Sequence, residues 1–140
     1  MQNDVIFTAF DDYIEESRWI KKGDLIIEAF DSIGSLWPLF IGHHYIAELC
    51  LDQLEVDEPV VINETKGHAE QIDETFAHYL YGYVANNVLH VGDFKFDFSE
   101  YNVYDQYENK FIKFKADRIN VEFLEDKSII RPFSSTEIIF

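Results

Sequence analysis

The sequence is poor in several residue types. It has one cysteine, three prolines and six glycines, and 11 Lys and Arg stand against 27 Asp and Glu. The single cysteine, Cys50, excludes an internal disulfide and with it the class of small secreted domains stapled by disulfides. Pro38, Pro59 and Pro132 are isolated punctuation, and no tract rich in Pro, Gly or Ser forms a linker. No internal repeat is present, so a solenoid or propeller is excluded. No window approaches the roughly 18 uncharged apolar residues of a membrane-spanning helix. The start, Met1-Gln2-Asn3-Asp4, carries no basic segment, and Asp11 and Asp12 interrupt the first apolar stretch. No secretory signal is expected, and the chain reads as soluble and cytoplasmic. With a formal net charge of -16, binding to nucleic-acid backbones or anionic membranes is not expected, because both need clustered Lys and Arg.

Hydrophobic residues are abundant at 47%, and aromatics reach 16% with 13 Phe and 8 Tyr, which excludes disorder of the whole chain. The length fits one compact domain spanning 1–140. In residues 1–70 apolar positions often recur every three or four residues, whereas in 71–140 they tend to alternate. Ile6, Phe10, Tyr13 and Ile14 fall on one helical face, which predicts a helix from Asp4 to Arg18, with a strand through Val5–Phe10 as the competing reading. Asp24 as N-cap and Gly34 as terminator predict a second helix over Leu25–Ile33. Leu39–Leu51 suits a buried strand or a short helix equally.

Pro59–Ile62 is β-branched and predicts a short strand. Ile72, Phe76 and Leu80 at i+4 spacing predict a helix from Gly67 to Tyr81. Phe94, Phe96 and Phe98 alternate with Lys95 and Asp97, the pattern of a half-buried strand. Strands over Phe111–Lys115, Ile119–Leu124 and Ser128–Phe133 follow, with Asn86-Asn87, Gly92-Asp93, Ala116-Asp117 and Glu125–Lys127 as turns. The expected class is α+β, with N-terminal helices packed on a mainly antiparallel C-terminal sheet.

No catalytic motif is present. On a helix His44 and Glu48 would face the same way and offer two metal ligands, but no third lies nearby in sequence. His68 and His78 would lie about 15 Å apart along a helix, too far for one metal. No Gly-x-Ser-x-Gly elbow or Gly-rich phosphate loop occurs. Cys50 between Leu49 and Leu51 reads as a buried, unreactive thiol. Neither enzyme activity nor a metal or cofactor is therefore expected. A small ligand-binding or enzyme site near His43, His44 and Glu48 is the alternative.

Charge is the strongest signal. Between Asp52 and Glu74 lie Asp52, Glu55, Asp57, Glu58, Glu64, Glu70, Asp73 and Glu74, against the single cation Lys66. A patch of one sign steers an oppositely charged partner into encounter. Tyrosine is favoured at interfaces, where it buries a ring and keeps its hydroxyl wet. Tyr79, Tyr81 and Tyr83 alternate, and Tyr101, Tyr104 and Tyr107 recur every third residue beside Glu100, Asp105 and Glu108. The expected partner-binding residues are Asp52, Glu55, Asp57, Glu58, Glu70, Asp73, Glu74, Tyr104 and Tyr107, facing a basic protein.

Two resemblances bear on function. Gly42–Leu49 resembles the opening strand of bacterial S-adenosylmethionine decarboxylases, and Lys115–Glu122 resembles a later strand of that family. The Glu-Ser-His sequence that yields their pyruvoyl group is absent, since Glu16-Ser17 is followed by Arg18, so that activity is not implied. In its small size, acidity and aromatic content the whole chain resembles the immunity proteins of bacterial toxin systems, including those of contact-dependent growth inhibition. That resemblance implies a cytoplasmic inhibitor of a cognate toxin, such as a basic nuclease domain. A nucleic-acid mimic that occupies a DNA-binding protein is the other binding reading.

Overall fold

A computed structural model describes residues 1–34 and 38–129. The described residues contain eleven strands and no helix: β1 (Gln2–Phe10), β2 (Ser17–Lys22), β3 (Leu25–Phe30), β4 (His44–Asp52), β5 (Val60–Val61), β6 (His68–Gln71), β7 (His78–Ala85), β8 (Val88–Val91), β9 (Phe94–Asp97), β10 (Phe111–Ala116) and β11 (Arg118–Asp126). The expected α+β class is thus incorrect, and each predicted helix is replaced by strands and turns. Asp4–Arg18 is β1, a loop and the start of β2. Leu25–Ile33 is β3 and the residues after it, and Gly67–Tyr81 is β6, a turn and half of β7. The predicted strand Ser128–Phe133 extends beyond the described residues, and Ser128 and Ile129 are not in a strand.

The physical reason lies in the pattern. A spacing of four places residues on one face of a strand as well as one face of a helix, so Ile72, Phe76 and Leu80 could not discriminate. In β1 the buried residues are Asn3, Val5 and Phe7, with period 2. Tyr13 and Ile14, read as part of a helical face, lie exposed in the β1–β2 loop. Asp11 does accept backbone N–H bonds, from Tyr13 at 2.8 Å and Ile14 at 3.0 Å. The acid thus satisfies orphan donors of a turn rather than of a helix start.

β1, β2, β3, β11 and β4 form a closed barrel in that order, with β4 returning to β1. All pairings are antiparallel except β3–β11, which is parallel at Phe30 and Asn120. This is a five-stranded Greek-key barrel, as in OB-folds. Alternate positions fill it, including Phe7, Ile20, Ile27, Tyr45, Leu49, Val121 and Phe123. Residues 53–117, between β4 and β11, carry the second sheet, ordered β5-β10-β7-β8-β9 with β6 also on β7. The β7–β8 hairpin turns at Asn86 and Asn87, both with positive φ (53° and 61°), as a two-residue primed turn requires. Leu80, Val84, Leu89, Phe94, Phe96, Phe98, Ile112 and Phe114 bury one face of this sheet, in one cluster with the barrel core.

The sheet is locked to the barrel by paired polar groups. The buried Asn3 side chain accepts from the Lys95 amide (2.9 Å) and donates to the Lys95 carbonyl (2.8 Å), so it caps the edge of β9 as a neighbouring strand would. Glu28 on β3 is buried, and it accepts from Ser17 Oγ and from Gln71 Nε2 of β6 (2.6 Å). Five-stranded Greek-key barrels present β2–β3 to ligands; here Gln71 reaches over β3 at Glu28. A Cβ on Gly67 would lie 2.3 Å from the Gly92 amide nitrogen, so a side chain there would force these backbones apart.

Cys50 corrects a second expectation, because it is exposed. In a strand, neighbours point to opposite faces, so the inward Leu49 puts Cys50 outward beside its partner Asn120. Native protein should therefore react with a small thiol reagent at one equivalent, without denaturant. A thiol that reacts only after unfolding would refute that placement.

Candidate protein-interaction cleft

Two loops of the inserted segment face each other across a cleft of about 280 Å³. One is the chain between β4 and β5. Its shape is set by Gln53, whose Nε2 donates to the carbonyls of Asp57 (2.8 Å) and Lys115 (3.0 Å). Asp117 Oδ2 accepts from the amide of Leu54 at 2.6 Å, which fixes the loop a second time. The other wall is the chain between β9 and β10, organised by the buried Asn102. Its Nδ2 donates to Asn87 (2.9 Å) and Glu108 (3.1 Å), and its Oδ1 accepts from the Tyr107 amide (2.8 Å). Tyr101 and Tyr107 rest on Phe98, with ring centroids 5.3 Å and 6.3 Å away.

Val56, Asp57 and Glu58 line one side and Glu100, Tyr101, Tyr104 and Tyr107 the other. The sequence placed Asp57, Glu58, Tyr104 and Tyr107 among the binding residues, and the fold brings these four to one cleft although the two pairs lie 46 (104 − 58) to 50 (107 − 57) residues apart. Apolar side chains of these loops stand open: Val56 is 91% exposed, Tyr104 87% and Val103 65% among the lining residues, and the neighbouring Leu54 69%. The field inside is negative. Burial first, and then the Glu58 carboxylate, raise the Tyr107 hydroxyl above its ordinary pKa. Burial raises Tyr101 likewise, reinforced by Glu100, Asp52 and Asp117. The arrangement suits a cationic side chain, which would gain carboxylates and tyrosine faces together.

The remaining expected residues lie elsewhere or are already engaged. Asp52 pairs with Arg118 at 3.5 Å. Glu55 is exposed beside the cleft without lining it. Glu70 lies on β6, where it accepts from the Tyr81 hydroxyl at 3.4 Å, and Asp73 and Glu74 are exposed in the β6–β7 turn. The acidic run from Asp52 to Glu74 therefore does not form one face. Sequence reasoning missed Gln53 and Asn102, whose roles rest on contacts remote in sequence, and the exposed Leu54, Val56 and Val103.

The histidine alternative is dispersed. On β4, His44 and Glu48 are four strand residues apart, about 13 Å. His44 Nδ1 lies 3.6 Å from Asp4, while Glu48 pairs with the Met1 amino group. His43 Nδ1 meets Asp126 at 2.9 Å. Among the described residues no group of three or more His, Cys, Asp or Glu could hold a metal ion. None of their helices could cross a membrane, since they have none.

These pairs make stability acid-sensitive. Burial opposes ionisation of Asp126, but bonds from His43, the Ser128 amide and Tyr45 outweigh it and hold the carboxyl below its ordinary value. Lys127 chiefly holds Asp4 low as well. A carboxyl depressed in the folded state stabilises it above the unfolded pKa, near 3.8 here, and that contribution is lost as pH falls through the folded value. The melting temperature should drop below about pH 4, and Asp126→Asn should flatten part of that fall. An unchanged acid profile in the variant would refute the assignment.

Residues 1–124 match the family described as "Uncharacterised conserved protein UCP019853", and the chain belongs to it. No curated protein and no solved structure matches the chain.

Proposed function

We propose that this member of an uncharacterised family is a non-enzymatic binding protein whose acidic cleft receives a basic surface of a protein partner. The observation that carries the reading is the juxtaposition of Asp57 and Glu58 with the open Val56, Val103 and Tyr104. Surface acids alone keep a protein in solution. Large apolar side chains held open around them are costly unless something covers them, and clustered exposed apolar groups rimmed by charge mark interaction sites. An aromatic anchor among apolar contacts, with charges at the rim, is the anatomy of a protein interface.

Within this reading the partner is a cognate toxin domain, neutralised as immunity proteins neutralise theirs, with Asp57 and Glu58 standing where its anionic substrate would bind. The resemblance of the whole chain to such proteins supports this setting. The test is affinity capture from the native host with wild-type bait and with bait carrying Asp57→Asn, Glu58→Gln and Tyr104→Ala. The expected result is one basic protein retained by the wild type and lost from the variant, whose toxicity is relieved by co-expression of this chain. Equal capture by both baits, or a captured partner that is acidic, would overturn the reading.

A further inference from the structure

The solvent side of the second sheet carries aromatic rings where an antiparallel sheet ordinarily presents small polar groups. Register sets them in rows. Phe111, Tyr83, His90 and Lys95 are successive partners across β10, β7, β8 and β9. Val60, Lys113, Tyr81 and His68 form the next row across β5, β10, β7 and β6. Lys115, Tyr79 and Glu70 form the third. None of the six rings in these rows is buried, while Leu80, Val84, Ile112 and Phe114 on the opposite side of the same strands are.

The rings are already fixed. His68 lies flat on Tyr81 with centroids 3.9 Å apart and planes 11° apart, and Glu64 holds its Nε2 at 3.2 Å. Lys113 Nζ sits 4.1 Å above the Tyr79 ring and 5.7 Å from Tyr81. The Tyr83 hydroxyl is 3.3 Å from Asn109, and the residue is 42% exposed. Charge on this face differs from that of the chain. Lys95, Lys113 and Lys115, with His68 and His90, stand among Glu64, Glu70 and, further along β9, Asp97, so lysines and carboxylates balance here while acids dominate the chain. The acids elsewhere are screened over about 8 Å at physiological ionic strength, so a ligand on this face meets chiefly its own three lysines and three carboxylates.

We propose that this face binds single-stranded nucleic acid, with bases stacking on Tyr83 and on the outer side of the His68–Tyr81 pair while Lys113, Lys115 and Lys95 meet phosphates. Planar rings interleaved with cations suit a ligand that alternates bases and phosphates. Aromatics on an antiparallel sheet stack bases in known RNA-binding modules, and such stacking tolerates any base because every base has a π-face. None of the rings or lysines of this face lines the acidic cleft; the two meet where the Lys115 carbonyl holds Gln53.

The test is fluorescence anisotropy of a labelled oligouridylate about twelve nucleotides long, titrated with the full chain. Saturable binding is expected. Tyr83→Ala should weaken it about tenfold or more, Tyr83→Phe should restore it, and Lys113→Gln should weaken it while reducing its dependence on salt. Far-ultraviolet circular dichroism checks that each variant is folded, and exposed Tyr83 and Lys113 allow the test even if a Tyr81 variant fails to fold. Absent binding, binding indifferent to Tyr83→Ala and Lys113→Gln, or equal displacement by an oligosaccharide polyanion such as heparin would each overturn the proposal.

Discussion

Replacing Phe114 by alanine should destabilise the protein by about 3–5 kcal/mol. Phe114 is fully buried on β10. It packs edge-on against Phe98 (centroids 5.2 Å apart) and at a tilt against Tyr101 (4.8 Å), so one ring supports both the sheet core and a wall of the cleft. The loss combines the transfer free energy of the removed ring with a cavity that Phe98 and Tyr101, each held by other contacts, cannot collapse to fill. Denaturant unfolding reads the loss as a lower midpoint at similar slope. A change under about 1 kcal/mol would mean that these rings do not form a shared core.

Tyr104→Ala should leave the fold almost untouched, within about 0.5 kcal/mol, because the side chain is open to solvent. Its effect should fall on binding, at about 2 kcal/mol or more, mostly through faster dissociation if the ring anchors the interface centre. Tyr107→Ala is the informative contrast. That ring rests on Phe98 and is partly buried, so the variant should lose both stability and affinity. Binding kinetics beside unfolding curves for the two variants separate the roles. A Tyr104 variant that binds as tightly as the wild type would remove the ring from the interface.

From Asn86 onward the chain was legible because its apolar residues alternate, whereas the helix expected to end at Tyr81 is β6, a turn and half of β7. Phe94, Phe96 and Phe98 can all face a core only with a repeat of two, and the strand over 94–97 follows. Asn86-Asn87 announced the hairpin, since those residues tolerate the positive φ it needs. In the first half the short strand at Pro59–Ile62 and the competing strand through Val5–Phe10 match β5 and β1, but the helices read there do not form, because buried and exposed sides both carry apolar residues. Ile6, Phe10, Tyr13 and Ile14 are outward or in a loop, yet their spacing imitates a helix. Barrel closure adds a further difficulty, because the parallel contact of β3 with β11 joins Phe30 to Asn120 and no local pattern encodes it.

The site was legible in part for a related reason. Charge and tyrosine content marked Asp57, Glu58, Tyr104 and Tyr107 without marking their meeting. Runs of acids along the sequence suggested one continuous face, but strand pairing divides them, sending Glu70 to the far edge of the second sheet and tying Asp52 to Arg118. Gln53 and Asn102 carry no chemical signature in sequence; each matters because its amide reaches backbone or side chains that only the fold brings close.

The central claim is that the cleft recognises a basic partner through Asp57 and Glu58. Its most direct measurement is surface-based kinetics of the captured partner against wild type and against the Asp57→Asn, Glu58→Gln double variant, at two salt concentrations. If the pair lies at the interface rim, association with the wild type should slow as salt rises, and the double variant should associate more slowly and depend less on salt. An association rate indifferent both to salt and to the loss of these two charges would contradict the claim.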